Sequence, residues 1–187
     1  MAKKAQSTLI NMLLSLTIIA VVAAAALAFV SNVTEEPIAQ AQKAKKEAAV
    51  KAVLPAFDQL DEMEIDGVNC SRAQDAQGNF VGMAVEAKSA KGFGGDLVAM
   101  VGFDKDGNIT GYQILQTAET PGLGAKADQW FQKGNKGDVI GKNPANGLSV
   151  KKDGGEIDAI SGSTITSRAF CDLINNAYTI FQKGGIE

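Results

Sequence analysis

The chain has 187 residues, with 21% charged side chains, a net charge of −3 and a pI of about 5.1, which suits one domain plus an N-terminal segment. Only Arg72 and Arg168 among its eighteen basic residues are arginine, which argues against nucleic acid as a partner. The absence of histidine excludes a Ser–His–Asp or Cys–His nucleophile and a histidine-bound metal, so any redox or transfer chemistry would rest on a cofactor.

Residues 1–34 are predicted to form a membrane anchor, because no charged side chain lies between Lys4 and Glu35. The apolar run from Thr8 to Val30 would reach roughly 34 Å as a helix, against about 30 Å for the hydrocarbon core of a bilayer. A cleaved signal peptide is the competing interpretation, since Ala26–Ala28 is similar to a small-residue cleavage site. The run is longer than a signal peptide needs, which favours a retained anchor.

The charges that flank the predicted span indicate its orientation. Lys3 and Lys4 favour a cytoplasmic N-terminus, although the lysines that follow the span at 43, 45 and 46 weaken the bias. We expect a single-pass membrane protein whose C-terminal domain is extracytoplasmic.

Residues 35–60 are predicted to form a helical stalk. Thr34 followed by Pro37 is typical of a helix start, and Pro55 should kink or break the helix. A short apolar stripe lies near its end, at Val50, Val53, Leu54 and Phe57.

Residues 61–187 are predicted to form an α+β domain with an antiparallel sheet and flanking helices. The segments VGMAVEAKS, LVAMVGFD and ITGYQILQ favour strands, and the DKDGN turn between the last two predicts a hairpin with Gly107 at positive φ. The link GFGGD, Gly92–Asp96, fits a bend or a close backbone approach better than a phosphate loop, because it lies between strands and lacks the Walker lysine.

Two further elements follow the strands. ETPGLG, residues 119–124, contains an ordinary Pro-Gly turn and precedes a short helix in AKADQWFQKG. After a polar stretch, the segment ITSRAFCDLINNAYTIFQ predicts an amphipathic helix of about 18 residues. Its apolar side chains are Ile165, Phe170, Leu173, Ala177, Ile180 and Phe181.

The start of this last helix carries five hydroxyl side chains around Gly162: Ser161, Ser163, Thr164, Thr166 and Ser167. One of them could cap the helix, a contribution of about 1 kcal/mol. Five exceed what capping requires, so the alternative is a phosphate that rests on the free N–H groups of the helix start with help from the hydroxyls.

DAISGST, residues 158–164, resembles the D-x-x-S-G-A-T flavinylation motif of the FMN-binding domains in the Rnf and Nqr respiratory complexes. In that family FMN is joined through its phosphate to the last threonine, which corresponds to Thr164. The ETPGLG signature, the single N-terminal span, GFGGD and the length are most similar to the G subunit of Rnf complexes. Ser163 departs from the family pattern, which most often has alanine there.

The resemblance implies an electron-relaying flavoprotein subunit of an ion-translocating oxidoreductase of the ferredoxin:NAD+ type, without stand-alone catalysis. It implies FMN bound covalently to Thr164, with further cofactor contacts from Ser161, Gly162, Ser163, Ile165, Thr166, Glu119, Thr120, Leu123 and Gly124. It also implies maturation by a separate flavin transferase that uses FAD and a divalent cation and recognises Asp158 and Gly162. The other partners would be further subunits of the complex and the lipid bilayer, and the resemblance implies that this bilayer is the bacterial inner membrane.

Two alternatives remain open from the sequence. The chain could be the C subunit of a Na+-translocating NADH:quinone reductase, or a non-redox extracytoplasmic module that binds an anion. Cys70 and Cys171 could be buried thiols or one disulfide, because their spacing does not decide between the two.

Overall fold

The structure, a computed structural model, describes residues 8–185, and their internal contacts divide the chain into two units. The first unit ends at Ala44 and the second begins at Lys45. This division falls inside the predicted stalk, and the three-part organisation into anchor, stalk and domain stays a prediction.

In the described residues, the first unit is the part of helix α1, Leu9–Val53, that ends at Ala44. Within the described residues, α1 is the one helix long and apolar enough to cross a membrane. Its most apolar 18-residue stretch has a mean hydropathy of 2.7, and none of that stretch is buried. The predicted helix start at Thr34 is wrong, because α1 continues through Pro37. The Thr34 hydroxyl instead donates back to the carbonyl of Val30 at 2.8 Å, as hydroxyls inside helices do.

The second unit is built on a five-stranded antiparallel meander in the order β1-β2-β3-β4-β5. The strands are β1 Gln59–Ile65, β2 Val68–Gln74, β3 Phe80–Ser89, β4 Leu97–Asp104 and β5 Ile109–Gln116. The antiparallel sheet, strands β3 to β5 and the hairpin at Gly107 (φ 80°) confirm the sequence prediction.

The hairpin of β1 and β2 was not predicted from the sequence. Its turn is Asp66–Gly67, and both residues have positive φ, 52° and 78°. In a two-residue hairpin loop, a turn with positive φ at both residues matches the twist of the two flanking strands, and Asp-Gly is a preferred sequence for it. The signal was therefore present, but the charged residues of β1 conceal its strand pattern.

One face of the sheet packs against helix α3, Thr164–Gly184. The helix contributes Phe170, Leu173, Ile174, Ala177 and Phe181, all with at most 2% of their surface exposed. This confirms the predicted amphipathic helix with one exception. Ile165 belongs to the apolar spacing but is 49% exposed, because it lies in the first turn, beyond the part of the helix that covers the sheet.

The opposite face packs against the last turns of α1, inside the second unit. Ala49, Val50, Val53 and Leu54 form a small core with sheet residues such as Met100, which confirms most of the predicted stripe. The approach is so close that a Cβ on Gly102 would lie 2.1 Å from the Val53 carbonyl oxygen. The helix ends before Pro55, which disfavours helical geometry in the residue that precedes it.

The segment between β5 and α3 is mostly irregular. It contains the short helix α2, Ala127–Trp130, and three 3-10 turns at Gly124–Lys126, Pro144–Asn146 and Lys151–Asp153. The Tyr112 hydroxyl of β5 donates to the Ala127 carbonyl at 2.6 Å and so holds α2 on the sheet.

Both cysteines are free and buried, so the structure favours the interpretation as buried thiols. Burial raises the pKa of Cys70 to about 11 and the pKa of Cys171, with a smaller effect of Asp153, to about 12.

We therefore expect the folded protein to react slowly with a thiol reagent at pH 8, because the thiolate is the reactive species. Two thiols should react at once in denaturant. Rapid labelling of the folded chain, or no labelling of the unfolded chain without reductant, would contradict this arrangement.

Candidate functional site

A cavity of about 380 Å³ lies at the start of α3, entirely within the second unit. Four segments line it: the β3–β4 loop, the segment that follows β5, the 3-10 turn Lys151–Asp153, and the first residues of α3 with the turn before them. The lining residues are Phe93, Glu119, Thr120, Leu123, Gly124, Lys152, Gly162, Ser163, Thr164, Ile165 and Thr166.

The carboxylate of Glu119 joins three of these segments. Its Oε1 accepts the Phe93 backbone N–H at 2.8 Å, and its Oε2 accepts the Thr166 hydroxyl, also at 2.8 Å. Glu119 is 7% exposed and Thr166 is 1% exposed, so both bonds lie largely away from water. A carboxylate in such a place needs donors to replace its lost hydration, and these two bonds supply them.

Glycines allow the segments to approach one another this closely. A Cβ on Gly94 would lie 2.0 Å from the Ala118 carbonyl oxygen. A Cβ on Gly124 would lie 2.5 Å from Glu119 Oε2 and 2.6 Å from the Thr166 hydroxyl oxygen. The close backbone approach predicted for GFGGD is therefore confirmed, and Gly124 is required next to the Glu119–Thr166 bond.

The hydroxyls at the start of α3 have different partners. Ser163 is the N-cap residue, but its side chain accepts no capping bond. The Ser167 hydroxyl accepts the Ile160 N–H and donates to the Ser163 carbonyl, each at 2.9 Å, and it is fully buried. Ser167 and Thr166 therefore stabilise the turn and the loops.

The Thr164 hydroxyl faces a lysine. Lys152 Nζ donates to Thr164 Oγ1 at 3.1 Å from the 3-10 turn Lys151–Asp153. Thr164 lines the cavity and is only partly buried, so its oxygen is accessible from the cavity. Within residues 8–185, the side chain that contacts this hydroxyl is the Lys152 ammonium, which as a cation cannot act as its base.

Asp158 lies outside the cavity lining. Its carboxylate pairs with Lys151 at 2.7 Å, and its carbonyl accepts the Trp130 indole N–H at 2.8 Å. Next to this pair, Arg168 binds both carboxylate oxygens of Asp153. The Arg168 guanidinium, with a smaller contribution from Lys152, holds the pKa of Asp153 below its usual value.

Three large apolar side chains surround the cavity. Phe93 is 70% exposed, Leu123 is 44% exposed and Ile165 is 49% exposed. Among the described residues of the second unit, no other large apolar side chain is exposed to this degree. The cavity therefore combines an apolar rim with a hydroxyl and a cation, which suits a ligand with a flat apolar part and an anionic part.

The structure brings together nine of the ten cofactor residues proposed from the sequence; Ser161 is the one that does not line the cavity. Their contact with a cofactor stays a prediction. Sequence reasoning missed Phe93 and Lys152. Phe93 stands inside the noted GFGGD link, so an exposed aromatic residue among glycines was an available signal. Lys152 had none, because only the fold places it beside Thr164.

Comparison with known proteins places this site in a family. The FMN-binding domain family matches residues 92–179, which include every residue that lines the cavity. The G subunit of the ion-translocating oxidoreductase complex of Methanosarcina acetivorans is 32% identical over 93% of this chain and 96% of its own length. The chain belongs to the family of G subunits of ion-translocating oxidoreductase complexes.

Other members of this G-subunit family are similar over most of the chain. The G subunit of the Na(+)-translocating ferredoxin:NAD(+) oxidoreductase complex of Acetobacterium woodii is 31% identical over 90% of this chain and 89% of its own length. Among solved structures, NqrC of Shewanella oneidensis is 23% identical, with a TM-score of 0.46 over 62% of this chain and 58% of that one.

We expect Glu119→Ala to lower the free energy of unfolding by about 1–3 kcal/mol, because it leaves the Phe93 N–H and the Thr166 hydroxyl without their buried acceptor. Glu119→Gln should lose less, since one oxygen remains and the hydroxyl of Thr166 can accept from the amide. Urea denaturation of the full chain in detergent measures both. Glu64→Ala, on an exposed position of β1, is the matched control; an equal loss there would refute the bridging role.

Proposed function

We propose that this chain is a membrane-anchored electron carrier of an Rnf-type ion-translocating oxidoreductase, with FMN attached through its phosphate to Thr164. The hydroxyl of Thr164, held at the cavity beside Lys152, is the observation that carries the proposal. The FMN-binding domain profile, which extends over this site, supports the cofactor.

The partners of the neighbouring hydroxyls support Thr164 as the attachment point. Thr166 and Ser167 are buried and hydrogen-bonded within the protein, so a bond to phosphorus at either oxygen would break the contacts that form the site. Ser163 is also buried, at 8% exposure. Ser161 is exposed but lies outside the cavity lining.

Attachment from FAD would form a bond between Thr164 Oγ1 and phosphorus, break the phosphoanhydride bond of FAD and release AMP. The hydroxyl proton must leave as the new bond forms, and a threonine hydroxyl is a weak nucleophile without a base. Lys152 as a cation cannot accept that proton, and Asp158 is paired with Lys151. These contacts favour a separate flavin transferase that supplies the base, with Thr164 as its substrate.

A bound flavin would supply the redox chemistry, while the residues of this chain supply position and a partly water-free environment. Phe93, Leu123 and Ile165 present apolar surface that could cover the ring system and reduce its contact with water. Glu119 keeps the loops of Phe93 and Leu123 next to the start of α3. The names of the relatives, one of which specifies ferredoxin and NAD(+), support electron transfer to other subunits of the complex.

The apolar part of α1 supports membrane anchoring. The orientation with the C-terminal domain outside the cytoplasm is part of the proposal and rests on Lys3 and Lys4 before the span. The C subunit of a Na+-translocating NADH:quinone reductase is the alternative assignment, and relatives named as G subunits favour Rnf over it. A non-redox anion-binding module would use Lys152 and the start of α3 as well. The apolar rim is the observation that disfavours it, since a small anion needs no such surface.

Thr164→Ala should abolish covalent flavin and leave the fold nearly intact, with at most about 1–2 kcal/mol of stability lost, because no core side chain is removed. In-gel flavin fluorescence after denaturation and intact-protein mass measure the attachment. Thr164→Ser retains a hydroxyl and should keep part of the flavin.

Ser163→Ala restores the residue most common in the family and should keep the flavin fully, so it is the matched control. Flavin that persists in Thr164→Ala and disappears in Ser163→Ala would move the attachment by one residue. A wild-type protein without flavin, produced together with the transferase, would support the anion-binding alternative.

A reporter fused after Glu187 tests the topology. An exported phosphatase at this position should be active, because the proposed orientation leaves the C-terminal domain outside the cytoplasm. A cytoplasmic reporter at the same position should be inactive, and the reverse pattern of activities would reverse the topology.

A further inference from the structure

Lys152 differs in its contacts from the basic residues next to it. Lys151 pairs with Asp158 and Arg168 pairs with Asp153. Within residues 8–185, Lys152 forms no ion pair with a carboxylate, and its ammonium donates instead to the Thr164 hydroxyl. Its neighbours in the chain are therefore neutralised locally, whereas its own charge is directed at the cavity.

The turn that carries Lys152 is held on both sides. Lys151 N–H donates to the Ile157 carbonyl and Asp153 N–H donates to the Val150 carbonyl, each at 2.8 Å. The ion pairs of the two flanking side chains tie the same turn to Asp158 and to α3. The backbone of Lys152 is thus fixed, and only its own side chain needs to be ordered at the cavity.

The two charged side chains of the cavity differ in how much of their hydrogen-bonding capacity is already used. Among the described lining residues, Lys152 is the only basic one and Glu119 the only acidic one. Both oxygens of Glu119 already accept hydrogen bonds from Phe93 and Thr166, whereas Lys152 can donate two further bonds. The cavity is therefore equipped for one additional negative charge close to Thr164 Oγ1.

We propose that Lys152 binds the phosphodiester on Thr164, neutralises its single negative charge and orients the flavin tether. This rests on the proposed attachment of FMN to Thr164. A phosphodiester carries one negative charge at neutral pH, so a single ammonium balances it. The ammonium that contacts Thr164 Oγ1 in the unmodified chain lies within reach of the non-bridging oxygens of a phosphorus bonded to that atom. Lys152 is a positioning residue for the flavin and does not take part in electron transfer.

The test compares Lys152→Gln with Lys136→Gln in the full chain in detergent. Lys136 is exposed and lies outside the cavity lining, so the control removes the same charge elsewhere on the second unit. Each variant is made with Thr164 and with Thr164→Ala. In the flavinylated chain, Lys152→Gln should lower the Tm by about 2–4 °C, as expected for loss of one charge-assisted contact. In the Thr164→Ala chain it should change the Tm no more than Lys136→Gln does.

A second measurement follows the phosphorus directly. The 31P resonance of the attached flavin should shift in Lys152→Gln and stay in place in Lys136→Gln. Because the Lys152 side chain is exposed, added salt should reduce the difference in Tm. Lys152→Arg, which keeps the charge, should restore the Tm. If Lys152→Gln takes up no flavin, full loading of Lys152→Arg supports the proposal, and equal loss in both variants overturns it.

Two further results would overturn the inference while the proposed function stands. One is a Tm loss in Lys152→Gln that is equal with and without flavin, since this would indicate a structural role. The other is a flavinylated Lys152→Gln with the stability and 31P resonance of the wild type. A wild-type chain that carries no covalent flavin would overturn the proposed function, and the inference with it.

Discussion

The cavity depends on one buried carboxylate. Glu119 accepts a backbone N–H from the β3–β4 loop and a hydroxyl from α3, while its own backbone belongs to the segment after β5. Three segments distant in sequence are thus held by two hydrogen bonds that are shielded from water. Because a lost partner inside such a site leaves the other group unsatisfied, the cost of breaking this arrangement exceeds that of an exposed contact.

The neighbouring hydroxyls have different hydrogen-bond partners. The Thr166 hydroxyl donates to the Glu119 carboxylate, and the Ser167 hydroxyl accepts the Ile160 N–H of the turn that precedes the helix. Ser163 lies at the N-cap without a capping bond, so the polar run does not act mainly as a helix cap. Thr164 is the hydroxyl of the helix that faces both the cavity and a cation. Among these hydroxyls, Thr164 is therefore the one that we propose as the attachment point.

Local patterns predicted much of this fold correctly. Strands β3 to β5, the turn at Gly107 and the buried face of α3 each follow from periodicity or turn chemistry within a short segment. The expected helix start at Thr34 failed, because a proline was interpreted as an N-terminal signal although a long helix can accommodate it. The β1–β2 hairpin was missed because its exposed, acidic strand lacks a clear alternation.

The candidate site was predictable only in part, because some of its residues are brought together by contacts between segments distant in sequence. Its motif residues were found through a resemblance, whereas Phe93 and Lys152 reach the cavity from loops whose positions depend on long-range contacts. Lys152 is twelve residues from Thr164, and its neighbour Lys151 has the same charge and a different partner. No local rule distinguishes the two lysines.

The motif residues at the start of α3 do not by themselves determine how a ligand would lie in the cavity. The N–H groups at a helix start attract an anion, but their effect is limited to the first turn and does not select one orientation of a flexible tether. In the arrangement that we propose, a lysine on a separate turn would hold the diester from a second direction. Together with the apolar rim of Phe93, Leu123 and Ile165, it would contact both ends of an extended ligand. The covalent bond would then retain the flavin, while the surrounding side chains would determine where its ring lies.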